Sequence, residues 1–324
     1  MEYYFGEMDV IYIGYSKLIV DNIIKDYVST SILREDITKI LDEGFNNSLH
    51  PYANSLELHY KLLCENEEKD DLTDLSTCIE LLMLTLDIID DLQDLDNEEA
   101  VWSKMKHSSA LNSSICIFTL LLLKLLEKRD GNTIQTILSF LLRSIEGQHE
   151  DINDTIHNTE QYLKITELKS GSLLAMANIL GASMHTSCYN KIIEEYSILL
   201  GVSAQISNDI QDFTDFTNKS DWKLKKKTLP ILYLLNPKIK EGEFIREYYN
   251  DYITYDEFIS NPLKLENILT KSGALNFAIT WKILYENRAL NKIEELPISH
   301  DKKTFLKENL LNNNFLEGKN GITN

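Results

Sequence analysis

Residues 87–94 constrain this chain more than any other stretch. They read Asp87-Ile88-Ile89-Asp90-Asp91-Leu92-Gln93-Asp94 and follow an apolar run over residues 79–86. On one helix, at about 100° per residue, Asp87, Asp90, Asp91 and Asp94 fall at i, i+3, i+4 and i+7, a single narrow face. Like charges at that spacing repel by about a few tenths of a kcal/mol per pair in water, and by more where water is scarce. Interspersed Lys or Arg would relieve the stripe, and none is present. A divalent cation relieves it instead, and hard Mg²⁺ prefers carboxylate oxygen, completing its shell with water and phosphate. The same spacing recurs at Gln205, Asn208, Asp209 and Asp212. Two oxygen-rich helix faces, far apart in sequence, can face each other across a cavity. Either stripe alone reads equally well as a solvated acidic face; the pair, beside the basic run described below, does not.

The rest of the chain reads helical. Only 12 Gly and 5 Pro occur in 324 residues, and nearly every segment has a helical rather than an alternating period. An all-α bundle is expected, as a single domain over 1–324, because no linker separates two units. The ends, 1–30 and 317–324, are the least defined: short amphipathic helices at one, a frayed tail at the other. Apolar residues, 43% of the chain, can form a sizeable core. With 32 Lys and Arg against 51 Asp and Glu the net charge is −19, which repels nucleic acid. Cys64, Cys78, Cys116 and Cys188 are scattered, with no CxxC and no His at metal spacing, and read as reduced thiols of a cytoplasmic protein. The N-terminus, with Glu2, Glu7 and Asp9, lacks a signal pattern. The longest apolar run, residues 115–126, contains Lys124 and is too short to span a bilayer. Peripheral membrane contact stays open.

Other stretches bear on chemistry. Residues 65–74 are almost all charged and read as a surface loop. An EF-hand after Asp94 fails, because that loop needs Gly at its sixth position. Gln148 and Asp151 share a helix face, and Gly147 within the same helix costs about 1 kcal/mol against Ala, a mark of close packing. His149 and His157 read as surface residues. Lys169-Ser170-Gly171 heads an apolar helix, which suits a phosphate: ammonium, hydroxyl and backbone N–H in one place. After the second acidic stripe come Asp215, Lys219, Asp221, Lys223, Lys225, Lys226 and Lys227, then Thr228-Leu229-Pro230. Lysines beside carboxylates are what a metal–diphosphate site needs: metal bridges carboxylate to phosphate, and lysine neutralises the remaining charge.

These residues carry a resemblance. Asp90-Asp91-Leu92-Gln93-Asp94 resembles the first aspartate-rich motif, DDxxD, of the all-α polyprenyl synthase superfamily, and Asn208-Asp209-Ile210-Gln211-Asp212 resembles its second, with Asn in first place. Gln148 with Asp151, Lys169-Ser170-Gly171, Gln205 and the segment from Asp221 to Pro230 match in order and spacing, except that Lys225 stands where the family has Gly. A narrower likeness is carried by Asp96-Asn97, Trp102, Leu111-Asn112, Gly147-Gln148-His149, Gly171-Ser172-Leu173 and Ala204-Gln205-Ile206-Ser207. It is to the superfamily's tryptophan prenyltransferases, which modify the pre-peptide of a quorum-sensing competence pheromone.

The resemblance implies an isoprenoid synthase (class I terpenoid synthase) helical bundle around a central cavity, up to three Mg²⁺ ions, a geranyl or farnesyl diphosphate donor, and a homodimer. Its implied metal ligands are Asp90, Asp91 and Asp94 from one helix and Asn208, Asp209 and Asp212 from the other. Lys169 and a loop lysine, best assigned as Lys226, would stabilise the leaving diphosphate. Gln148 would contact substrate, and Gln205 would position the diphosphate or the cation. Thr85 and Leu86, about one turn before Asp90, would border the tail pocket. One departure matters. Chain-elongating members carry a GGKxxRP segment and an arginine pair after the first motif, which hold a second diphosphate. Here no GGK occurs, and Leu95-Asp96-Asn97-Glu98-Glu99 is acidic where the arginines are expected. One diphosphate site is kept and the other lost, as suits an uncharged acceptor such as an indole. The alternatives are a short-chain polyprenyl diphosphate synthase or terpene synthase, a non-catalytic partner subunit of a prenyl synthase, and an acidic helical scaffold. Against a terpene synthase, Asp212 and Phe216 stand where its second motif has Ser and Glu.

Overall fold

The computed structural model describes residues 17–46, 50–63, 69–95, 97–184, 190–215 and 220–311, and among them no strand occurs. The helices are α1 (Lys17–Tyr27), α2 (Ser31–Asn46), α3 (Pro51–Leu63), α4 (Lys69–Asp94), α5 (Val101–Lys104), α6 (His107–Lys128), α7 (Gly131–Ile152), α8 (Thr159–Thr166), α9 (Ser172–Ser183), α10 (Asn190–Thr214), α11 (Ser220–Lys223), α12 (Leu229–Leu235), α13 (Glu243–Tyr249), α14 (Tyr255–Ile259), α15 (Pro262–Lys271), α16 (Ala274–Glu294) and α17 (His300–Leu311). A π-helical turn, Glu167–Gly171, fuses α8 to α9. Local chemistry sets the boundaries. The side chains of Asp130 and Asn158 accept the amides of Thr133 and Gln161, capping α7 and α8. Pro230 and Pro262 sit in the first turns of α12 and α15, where a missing N–H leaves no bond unmade.

The fold is built around α9. Every side chain from residue 174 to 182 is buried, as an all-round apolar helix requires. Small residues let its neighbours close in: a Cβ on Gly181 would lie 2.1 Å from the carbonyl oxygen of Leu56 in α3. α3, α7 and α10 pack against α9, and α16 lies along α10. A second apolar cluster joins α1, α2, α4, α5 and α6 through Ile37, Ile40, Ile88, Trp102 and Ile117. A third is rich in rings and joins the end of α10 to the short helices that follow, through Phe213, Trp222, Tyr248 and Phe258.

Three expectations change. Residues 69–74 of the charged stretch are not a loop: α4 already begins at Lys69, because Leu72 and Leu75, one turn apart, both bury. Residues 65–68 lie outside the described set, as do 1–16, 312–324, Cys64 and Cys188. The apolar run 115–126 sits in a longer helix; over residues 107–127 α6 is long and apolar enough to cross a membrane, by length and composition only, while it packs on α4. Lys169-Ser170-Gly171 does not begin a helix. It forms the π turn inside one continuous helix, so its amides are not those of an open N-terminus. Cys78 is a buried free thiol and Cys116 a half-buried one.

A buried polar network ties α3, α9 and α10 together. His59 Nδ1 donates to the Ser55 carbonyl (2.7 Å), so Nε2 must accept the Tyr196 hydroxyl (2.5 Å). Ser55 Oγ donates to Asn178 Oδ1 (2.5 Å), and Asn178 Nδ2 donates to Ser197 Oγ (2.8 Å). Burial pushes His59 down to about 4. A histidine in the unfolded chain titrates near 6.5, so between these values protons favour unfolding. The stabilisation is complete above about pH 6.5 and is lost as the pH falls toward 4, by roughly 3 kcal/mol in all. Urea unfolding of the wild type is expected to show this acid-side loss, and His59→Gln should show a loss smaller by about that amount. Parallel pH profiles for the two proteins would mean that His59 is not held neutral.

Candidate active site

The first acidic stripe ends α4, and its carboxylates part company. Asp90 Oδ1 accepts from Gln148 Nε2 on α7 (2.7 Å) and from Lys169 Nζ on the π turn (3.3 Å). Asp94, one helical turn on, accepts Lys226 Nζ (2.5 Å). Asp91 is rotated by about 100° from Asp90 and points elsewhere. It is only 8% exposed, and its Oδ2 accepts the indole N–H of Trp102 (2.8 Å) and the amide of Asn97 (3.0 Å). Asp87 is exposed. The stripe therefore splits into two lines, Asp90 with Asp94 toward the lysines, and Asp91 toward the turn that follows.

The second stripe is more buried. Asp209, 4% exposed, accepts the Tyr162 hydroxyl (2.6 Å) and the Gln205 amide (2.9 Å), and Ser170 Oγ donates to Gln205 Oε1 (3.0 Å). Burial lifts its carboxyl to about 7, with both hydrogen bonds pulling the other way. Asn208 is exposed. Asp212 is half-buried and lines a small cleft with Asp221, Lys226, Thr228 and Tyr249.

Two lysines tie the first stripe to neighbouring helices. Lys169 bridges Asp90 and Asp151 (2.9 Å), and Lys226 bridges Asp94 and Asp221 (3.4 Å). Burial works against both charges, but the carboxylates outweigh it and hold each ammonium above the ordinary lysine range. The π turn is what presents Lys169. It adds a residue to one turn of helix, and its neighbours make room. A Cβ on Gly147 would stand 2.5 Å from the Lys169 amide nitrogen, and one on Gly201 would stand 2.8 Å from Gly171 Cα. Ser144 Oγ caps the Lys169 carbonyl (2.9 Å). Thr85 is buried with its hydroxyl on its own helix, at the Leu81 carbonyl (2.7 Å), and Leu86 packs against the main core. Tyr162, Ser170 and Trp102 are partners whose contacts here sequence reasoning did not foresee. Tyr162 stands seven residues before Lys169, two turns back on the same helical face, and that spacing was its only signal.

A model of the polyprenyl synthetase family matches residues 53–257. The chain belongs to the polyprenyl synthetase family. It is similar to tryptophan prenyltransferase ComQ of Bacillus subtilis (strain 168), at 31% identity over 289 residues that span 89% of this chain and 96% of that one. In fold it resembles a geranylgeranyl pyrophosphate synthase (TM-score 0.76, 18% identity, 94% of this chain and 97% of the other). It also resembles a polyprenyl synthase from Caulobacter crescentus CB15 complexed with calcium and isoprenyl diphosphate (TM-score 0.73, 18% identity, 93% and 94%). The bundle is thus the all-α isoprenoid synthase fold, and this polyprenyl synthetase relative is a prenyltransferase.

Members of the polyprenyl synthetase family generally use Mg²⁺. The donors of this chain are all oxygen, which suits that ion. Among the described residues no three carboxylates converge on one point. Lysine ammonium groups instead bridge the first-stripe carboxylates Asp90 and Asp94 to Asp151 and Asp221. Asp90, Asp94, Asp209 and Asp212 nonetheless fit a cation, since buried Asp209 is hydrogen-bonded only to neutral groups. In this prenyltransferase, Gly147→Ala should push α7 off the π turn. The expected cost is about 1–3 kcal/mol in calorimetry and about a tenfold or greater loss of prenyl transfer, as Lys169 shifts. Wild-type melting together with wild-type turnover would contradict the contact.

Proposed function

We propose that this protein transfers a geranyl or farnesyl group from its diphosphate to a tryptophan of a quorum-sensing pheromone pre-peptide, with Mg²⁺, in the cytoplasm. The observation that carries the reading is an asymmetry of charge. One end of the site holds Lys169 and Lys226 among carboxylates, ready for a diphosphate. The turn beyond Asp94 offers Leu95, Asn97, Glu98 and Glu99, and the next cation, Lys104, is engaged by Glu99 (2.7 Å). A second diphosphate arriving there meets negative charge; an indole does not. The likeness to a tryptophan prenyltransferase supports the same acceptor.

When bound, Mg²⁺ supplies Lewis acidity at the leaving diphosphate. Asp90, Asp94, Asn208, Asp209 and Asp212 would hold it. Asp91, bonded to Trp102 and Asn97, would serve it by fixing the turn after the stripe. Lys169 and Lys226 exchange carboxylate partners for phosphate oxygens and take up the charge that grows as the C–O bond breaks. Gln148 and Gln205 orient Asp90 and Asp209. Thr85 and Leu86 bound the prenyl tail. The diphosphate leaves with the bonding electrons, an indole carbon supplies the pair for the new C–C bond, and the ring then loses a proton.

Protein, Mg²⁺ and labelled geranyl or farnesyl diphosphate, incubated with the pre-peptide or with isopentenyl diphosphate, are expected to give a prenyl mass gain on the peptide's tryptophan. The gain should fall about a hundredfold or more in Asp94→Ala and on chelation. A longer prenyl diphosphate, formed only with isopentenyl diphosphate, would overturn the reading. The proposal includes a homodimer. Ile115 and Leu126 on α6 are 61% and 64% exposed, and Leu138, Leu142 and Ile145 form an exposed line at i, i+4 and i+7 of α7. Light scattering should give about twice the 37.4 kDa chain mass, and Leu142→Glu with Ile145→Glu should halve it; a monomeric wild type would remove the dimer from the proposal.

A further inference from the structure

Lys225 holds a φ of 55°, the left-handed region that favours glycine. A lysine persists there because its side chain is engaged. Its Nζ is hydrogen-bonded to Asp251 and lies 4.7 Å from the centroid of the Tyr248 ring, within cation–π range. The Tyr248 hydroxyl donates to the Trp222 carbonyl (2.8 Å), and the Tyr249 hydroxyl donates to the Lys226 carbonyl (2.9 Å). Tyr248 is itself stacked on Phe258, with centroids 4.2 Å apart, inside the ring-rich cluster. The C-terminal end of α13 therefore grips the basic loop at three points: the carbonyls of 222 and 226 and the side chain of 225.

We propose that this end of α13 positions Lys226 for the diphosphate, with Tyr248 and Tyr249 as positioning residues and with Lys225 as a pin rather than a diphosphate ligand. The inference rests on the donor reading above and deepens it. Lys226 meets Asp94 and Asp221 only while its backbone is fixed. A released loop samples other conformations, and affinity for diphosphate falls by the fraction that remains competent. Lys225 carries backbone strain with any β-carbon. Removing the pin and the strain together should therefore cost less than removing the pin alone.

The test is calorimetric binding of Mg²⁺–inorganic diphosphate and of a non-hydrolysable geranyl thiolodiphosphate to the full chain, with melting curves for each variant. Lys226→Gln should bind about a hundredfold more weakly. Tyr249→Phe should weaken both ligands about fivefold while the melting temperature stays within a few degrees, the loss expected of one hydrogen bond. Lys225→Gly should bind within about threefold of wild type, and Lys225→Ala at least about threefold more weakly than Lys225→Gly. Wild-type affinity in Tyr249→Phe, or a loss in Lys225→Gly as large as in Lys226→Gln, would overturn the proposal and leave the donor reading standing. A wild-type protein that binds neither ligand would overturn both.

Discussion

Carboxylates gathered from α4, α7 and α11 cannot stay together without positive charge between them, and the rest of the site follows from how this chain supplies it. Lys169 and Lys226 reach in from opposite sides, one from a widened turn of helix and one from a loop. Both are more than half-buried, so burial alone would disfavour their charged form. Each ammonium is held by two carboxylates, and those carboxylates in turn are held by the lysines. Such a mutual arrangement is stable at rest and labile toward a better anion. A diphosphate carries more charge than any one of the aspartates it would displace.

The surrounding structure is arranged to keep these groups still. α9 is dry and closely packed, and Gly147, Gly181 and Gly201 bring backbones nearer than any side chain would allow. Polar groups that the core must contain, such as His59, Asn178 and Ser197, are hydrogen-bonded to other groups of the protein. The ring-rich cluster around Tyr248 and Phe258 does the corresponding work for the loop. Precision at the charged centre is thus borrowed from three apolar clusters that carry no charge.

What the sequence makes legible is what depends on spacing along one chain. Asp90 and Asp94 share a face because helices advance by about 100° per residue, and that face meets Lys169 and Lys226. The bundle is legible for the same reason. What was not legible depends on neighbours. Asp91 shares the stripe on paper, but Trp102 and Asn97 capture it, and only the fold of the following turn brings them there. The first turns of α4 read as a loop because their charged composition hides Leu72 and Leu75, whose burial needs partners on other helices. The π turn leaves no compositional mark at all; Gly147 hinted at a close approach without saying to what.

That π turn has a consequence for how α8 and α9 can vary. A widened turn is a phase shift: the residues before it are rotated relative to those after it, compared with an unbroken helix. The charge register of α8 and the π turn, with Tyr162 toward Asp209 and Lys169 toward Asp90, is thereby uncoupled from the apolar register of α9. Side chains in the core can be exchanged without turning the lysine, and the lysine can be re-aimed without unpacking the core. One inserted residue separates two problems that a regular helix would have to solve with a single angle.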